Sequence, residues 1–251
     1  MWASSIHYMN DATEFANAMG LVKAQLERIE GFEPAELSDF KRIITSQLES
    51  ISRIYVFVFS LSEQSDLLSQ WRGYAGGGGF AVEFEWERLK RVAGRQGFLL
   101  GRCLYRTDQK EAVVKQMLKV AQEVYWRCVR QGAGREHVAG ELWKRFVQDF
   151  VRVSPLLKHY SFHEEREWRL VSRPTNMDAP EVDYREGHSM LVPYFKLSLE
   201  DGSGGMPVSG VVVGPCPHPE LSQNSVVNFV QKSANFKQLS ARCSQIPYRE
   251  W

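Results

Sequence analysis

Val56–Phe84 reads VFVFSLSEQSDLLSQWRGYAGGGGFAVEF and changes pattern three times. The apolar run from Ile54 to Ser60 is β-branched and aromatic and too short for a helix, so it predicts a strand. A polar turn follows, then a short helix ending in Trp71-Arg72-Gly73-Tyr74, where Trp71 and Tyr74 stand three apart and share a face. Gly76 to Gly79 lead into a second strand, Phe80 to Phe84. Two strands bracketing a helix with two aromatics and a cation, beside nearly bare backbone, make part of a pocket. The glycines match neither a Walker loop nor a GxGxxG ahead of a helix, and no helix N-terminus follows them to meet a phosphate. They predict a turn with positive φ, where a ligand could approach the backbone. Trp71 and Tyr74 suit a core as well as a ligand platform. Arg72 is either solvated or, facing the pocket, a partner for phosphate or carboxylate.

N-terminal to this stretch, Asp11 and Glu14 read as the N-cap and capping-box partner of a helix with Phe15, Met19, Val22, Leu26 and Ile29 on one face. After Pro34 a second helix turns Leu37, Phe40, Ile44, Leu48 and Ile51 inward. C-terminal to it, a strand is predicted over Phe98–Tyr105, and Asp108 with Glu111 caps a long helix carrying Val114, Met117, Ala121, Val124 and Cys128. Gly132 and Gly134 break that helix, and another through Val138, Leu142, Phe146, Phe150 and Val153 stops near Pro155. The two form a helical hairpin at about 108–155, inserted or appended. Further strands are read at Trp168–Ser172, Leu191–Leu197 and Val208–Gly214, a turn at Asp201–Gly205, a helix from Pro219 to Lys232, and a last strand near Phe236–Cys243. Strands in clusters, without strict βαβα alternation, predict an α+β fold. One compact domain over residues 1–251 is expected, with a mixed or mainly antiparallel sheet, N-terminal helices and the inserted hairpin.

A net charge of +1, from 31 basic and 30 acidic residues, gives no global pull toward nucleic acid or an anionic membrane, so any basic site is local. Nucleic acid is not thereby excluded as a partner. No apolar run reaches the length of a membrane span, and the opening MWASSIHYMNDATEF lacks the pattern of a signal peptide. A cytoplasmic protein without a membrane partner is expected. Cys103, Cys128, Cys216 and Cys243 show no zinc-type spacing and read as reduced, partly buried thiols; no metal is expected.

A second constellation is Phe162-His163-Glu164-Glu165-Arg166-Glu167-Trp168-Arg169-Leu170, where a loop becomes a strand. In extended geometry Glu165, Glu167 and Arg169 point to one side and Arg166 and Trp168 to the other. Crowded carboxylates raise one another's pKa and a neighbouring arginine lowers it. The alternative is a solvated charged edge.

In chain order, Asn10-Asp11-x-x-Glu14, Phe59-Ser60, Trp71-x-x-Tyr74 with its glycines, Lys158 with Phe162, Glu165-x-Glu167-Trp168-Arg169, Val213-Gly214-Pro215 and Ile246-Pro247-Tyr248-Arg249 resemble the family catalogued as domain of unknown function 2971 (DUF2971). The resemblance spans nearly the whole chain, with the hairpin its least typical part. Family members open with a strand bearing a Tyr-His-Tyr-Thr-like run; Trp2 and His7 match it poorly, so that strand is expected to be missing or the start assigned late.

The family's layout is similar to that of ADP-ribosyltransferases, which implies an NAD-using enzyme, a toxin or phage-defence effector acting on a macromolecular acceptor. In that reading Glu167 stabilises the oxocarbenium-like charge or holds the ribose hydroxyl, and Glu165 orients the acceptor. Trp71 or Tyr74 stacks on the nicotinamide, Arg72 meets the pyrophosphate, and Arg169 completes the cofactor set. Two alternatives stand beside it. One is a non-catalytic module binding a small ligand or a partner. The other is a nuclease-like effector holding Mg²⁺ on Glu165 and Glu167 with Glu83 or Asp66.

Overall fold

The computed structural model describes residues 1–8, 12–31, 33–51, 54–76, 78–200, 202, 205–232 and 239–247; of residues 12–14 it gives the backbone alone. The capping box of Asp11 and Glu14, Gly77, most of the turn at Asp201–Gly205, Phe236, Tyr248 and Arg249 lie outside the described residues.

In chain order the elements run β1 (Trp2–Ser5), α1 (Ala12–Glu27), α2 (Pro34–Ser50), β2 (Phe57–Ser62), α3 (Leu68–Tyr74), β3 (Phe80–Phe84), α4 (Trp86–Arg95) and β4 (Leu99–Arg102). Then come α5 (Thr107–Arg130), α6 (Arg135–Leu142), α7 (Gln148–Val153), β5 (Glu167–Val171), β6 (Val182–Glu186), β7 (Leu191–Lys196), β8 (Val208–Val213), α8 (Pro219–Gln231) and β9 (Ser240–Cys243). The strands divide between two sheets. The larger has the order β4-β5-β2-β1-β7-β6 with every pairing antiparallel; the smaller, β3-β8-β9, pairs β3 antiparallel and β9 parallel to β8.

The Val56-Phe57-Val58-Phe59 alternation sets the layers, because successive side chains in a strand leave on opposite faces. Val56, Val58 and Val171 face a layer of helices and join one core with Val22, Phe40, Ile44, Leu118, Leu142 and Phe150. Phe57, Phe59 and Leu170 face the other way, toward α4 through Leu89 and Ala93. The hairpin forms as expected: α5 returns through Gly132, at φ +66°, into α6, which continues through a π-helical turn at Trp143–Val147 into α7. It shares the helical layer with α1 and α2, so it completes the core instead of hanging outside it. The fold is thus α+β in one compact domain.

Two expectations are corrected, and two elements are added to them. A strand does precede the first helix: β1 pairs with β2 through Ser4–Val58 and Ser5–Phe57 and with β7 through Trp2–Lys196, Ala3–Phe195 and Ser4–Tyr194. Arg106, not Asp108, occupies the N-cap of α5; Asp108 sits in the first turn, its carboxylate accepting from Arg106 Nε at 3.0 Å and Nη2 at 2.8 Å. Finally, α4 and β6 were not anticipated. Among the described residues no helix is long and apolar enough to cross a membrane.

Candidate functional site

The helical-layer face of β5 carries the expected charged cluster. The chain is helical through Glu165, takes a left-handed conformation at Arg166 (φ 42°, ψ 50°), and is extended only from Glu167. This kink, unusual for a non-glycine residue, replaces the extended Glu165-x-Glu167 geometry expected from sequence. The two carboxylates nevertheless meet, through Lys158, whose Nζ donates to Glu165 Oε2 and to Glu167 Oε2, each at 2.6 Å. Glu167 also accepts from Arg169 Nε at 2.8 Å and Nη2 at 3.1 Å, while Arg169 Nη1 donates to the Pro155 carbonyl. The Tyr105 hydroxyl accepts from the Glu167 backbone N–H at 2.9 Å.

Lys158, Glu167 and Arg169 are all buried, at 4%, 4% and 1% exposure. Burial alone would raise the Glu167 carboxyl, but the Arg169 charge, with hydrogen bonds from Arg169 and Lys158, holds it below the usual range. Burial alone would lower the Lys158 ammonium, but its bonds to Glu165 and Glu167 outweigh that and hold it above the lysine range. Two cations and two carboxylates thus neutralise one another beneath the helices. The cluster fastens the segment after the hairpin to the sheet.

The opposite face of β5 faces a cleft of about 1500 Å³. Trp168 projects there, stacked edge-on against Trp86 at 4.3 Å between centroids, its Nε1 donating to Glu63 Oε1 at 2.8 Å. The rest of the lining comes mainly from β2, α3, β3, α4, β8 and α8, with Trp71, Tyr74, Phe80, Val82 and Phe229 prominent. Tyr74 is 79% and Phe229 73% exposed, so the cleft is open along an apolar wall. The lining includes Glu63 and Glu83, paired respectively with Arg102 at 3.3 Å and Arg242 at 2.6 Å, and no lysine, arginine or histidine among the described residues.

Trp71 is held in place from two sides. Its Nε1 donates to Asp66 Oδ1 at 2.7 Å, and its ring lies so close to Gly214 that a Cβ there would sit 2.8 Å from Cε3 and Cζ3. Asp66 also accepts from the Ser244 hydroxyl and from the Gln245 N–H at 2.8 Å. Partial burial would raise the Asp66 carboxyl, but these bonds, from Ser244, Trp71 and Gln245, with Arg242 nearby, hold it below the usual range. Gly76 and Gly78, at φ +35° and +151°, form the turn the glycine run was expected to supply, and Gly78 and Gly79 line the cleft.

Trp71 and Tyr74 therefore share one cleft, whereas Glu165, Glu167 and Arg169 lie across the sheet from it, and exposed Arg72 is not in its lining. The joint site expected from Trp71, Tyr74 and the glutamate pair is not assembled, because Trp168 and Glu167 are consecutive strand residues that leave on opposite faces. Glu83 and Asp66 lie with Arg242 beside the cleft, apart from Glu165 and Glu167. Among the described residues no three His, Cys, Asp or Glu side chains gather as a metal site would need. Sequence reasoning passed over Trp86, Phe229 and the Asp66 anchor. For Trp86 the available signal was Leu89, Val92 and Ala93 at helical spacing just after it.

No curated protein and no solved structure matches the chain. The model of the family described as "Protein of unknown function (DUF2971)" matches residues 70–170, a stretch that holds Trp71, Tyr74, Lys158, Glu165 and Glu167 and agrees with the family that the order of motifs resembles.

Proposed function

We propose that this protein is a binding module whose ligand, neutral and largely apolar, occupies the cleft between the two sheets. The observation that carries the reading is the lining itself. Trp71, Tyr74, Phe80, Trp86, Trp168 and Phe229 converge on it, and its two carboxylates are already paired with arginines. A concave, mostly apolar surface with few polar groups is what ligand sites are made of. Among the described residues, a dianionic pyrophosphate would find no lysine, arginine or histidine in that lining. In the ADP-ribosyltransferase reading, Glu167 would also have to leave Lys158 and Arg169 and cross the sheet to act.

The test uses residues whose exposure makes them dispensable for folding. Nile red, a neutral apolar dye, is titrated into the wild type and into Tyr74→Ala and Phe229→Ala. Saturable binding weakened several-fold in both variants, with melting temperatures unchanged, is the expected result. Binding indifferent to both substitutions would overturn the reading. NAD is titrated in parallel; NAD turnover that is lost in a folded Glu167→Gln protein would establish the ADP-ribosyltransferase reading in its place.

A further inference from the structure

Two strands at the cleft have an unpaired edge, and the hydrogen-bond phase of each can be worked out. In an antiparallel ladder alternate residues turn their N–H and C=O groups toward the same neighbour. On β3, the Gly214 N–H donates to the Gly79 carbonyl at 2.8 Å, and Phe80 is aligned with Val213. Gly79, Ala81 and Glu83 therefore face β8, and Phe80 and Val82 turn their backbone groups to the other side. Among the described residues no strand pairs on that side. All five residues of β3, from both of its faces, line the cleft.

On β2, Ser172 N–H donates to Phe57 O and Glu63 N–H to Arg166 O, so odd-numbered residues face β5 and Ser60 and Ser62 face away. Among the described residues the chain through β1 covers that side at Val56, Phe57 and Val58, and the pairing does not extend to Ser60 or Ser62. Ser60 and Ser62 are exposed and line the same cleft. An uncovered edge strand is a template for another strand. The β3 edge carries exposed Phe80 and Val82, without the lysine or proline that blunts such edges, and its one charge, Glu83, is paired with Arg242 within the same sheet.

We infer that the ligand of this cleft is an extended segment of another polypeptide, added as a strand to the free edge of β3. Its main chain would bond to the outward N–H and C=O groups of Phe80 and Val82, with the Ser60–Ser62 edge offering a second row. Alternate side chains would enter the apolar wall formed by Trp86, Trp168 and Phe229. Main-chain bonds supply affinity and alternate pockets supply selectivity in such strand addition. A peptide backbone is neutral, as the paired lining charges require. This inference rests on the cleft being a binding site and names what binds there.

The test follows tryptophan fluorescence, since Trp71, Trp86 and Trp168 line the cleft. The probe is a short acetylated and amidated peptide of alternating valine and threonine, compared with the same peptide N-methylated at alternate amides. We expect the unmodified peptide to bind saturably and N-methylation in one of the two phases to weaken it about tenfold, as loss of two main-chain hydrogen bonds implies. Val82→Pro, which removes an outward N–H at an edge where proline is tolerated, should weaken the unmodified peptide by about as much as N-methylation in the sensitive phase does. Ser60→Pro serves as the second variant should the first fail to fold. Nile red binding without peptide binding would overturn the inference and leave the binding module standing; binding of neither would overturn both. Equal affinity for the unmodified peptide and both methylated phases would also overturn it. So would a concentration-dependent dimer abolished by Val82→Pro, which would give the edge to a second copy of the chain.

Discussion

Lys158 and Glu167 meet at 2.6 Å, each 4% exposed, and Arg169 closes on the same carboxylate from the other side. A carboxylate at this depth is tolerated because both cations are placed to meet it, and each cation depends on it in return. The motif that looks catalytic on the page is, in the fold, a buried ionic rivet between β5 and the segment that follows the hairpin.

Glu167→Gln should therefore destabilise the protein. It leaves the buried Arg169 and Lys158 without their shared counter-charge, and breaking a buried pair in this way costs about 3–5 kcal/mol. Glu165→Gln should cost less, because its side chain is 20% exposed and Lys158 retains Glu167. Chemical denaturation of both variants checks the order. An equal or reversed effect would mean that Glu167 is not the centre of the cluster.

The same cluster sets the pH range of stability, and the signs follow from the direction of each shift. Glu167 is depressed in the fold, so its contribution is present above its ordinary value of 4.5 and is lost as pH falls through the lower, folded value. Lys158 is raised, so its contribution is complete below 10.5 and is lost as pH rises through the folded value. Burial pushes the Tyr105 hydroxyl from 10.0 up to about 12 despite its bond from the Glu167 N–H, so it too withdraws stability across that interval. Denaturation midpoints should hold from pH 5 to 9 and then fall on both sides. In Tyr105→Phe the alkaline decline should be shallower, although the orphaned Glu167 N–H lowers stability at neutral pH.

These relationships separate what the residues disclose from what they do not. The β-branched and aromatic run from Ile54 to Ser60 was enough to find β2 as a strand, though not its place between two layers, and the apolar spacing in α5 and in Val138–Val153 was enough for the hairpin. Period-two reasoning also correctly parted Trp168 from Glu167. What it could not say is which of the two faces α3, since that depends on where the second sheet closes. Lys158 stood among the family-like residues, but its role was beyond reach for a related reason: the Arg166 kink, not spacing, brings Glu165 and Glu167 to one ammonium. Strand β1 escaped notice because Trp2-Ala3-Ser4-Ser5 is short and half polar, and becomes a strand only between β2 and β7.

Asp66→Ala should loosen the cleft from its rim. Its carboxylate holds the Trp71 indole, the Ser244 hydroxyl and the Gln245 N–H. Each donor left unsatisfied where water is scarce costs about 1–3 kcal/mol, and solvent at this half-exposed site recovers part of that. Hydrogen exchange should quicken at Gln245 and at Ala75, whose N–H closes the α3 turn on Trp71 at 3.0 Å, while the Lys158 cluster on the far face stays protected. Uniform acceleration throughout the chain would show that Asp66 supports the whole fold and not the cleft.

Gly214→Ala tests the floor of the cleft. The added Cβ would fall 2.8 Å from the Trp71 ring and 3.1 Å from the Gly79 carbonyl, which the Gly214 N–H itself bonds. The carbonyl is held by the sheet, so the indole must move, against its anchor on Asp66. Such overpacking costs about 1–3 kcal/mol, and the displaced ring takes up space in the cleft. Ligand affinity should therefore fall further than stability, and Trp71 emission should shift. Pairing the change with Trp71→Ala separates the two causes: with the indole gone, Gly214→Ala should cost little more. A full additional loss in the double variant would place the strain at Gly79 and remove Trp71 from the account.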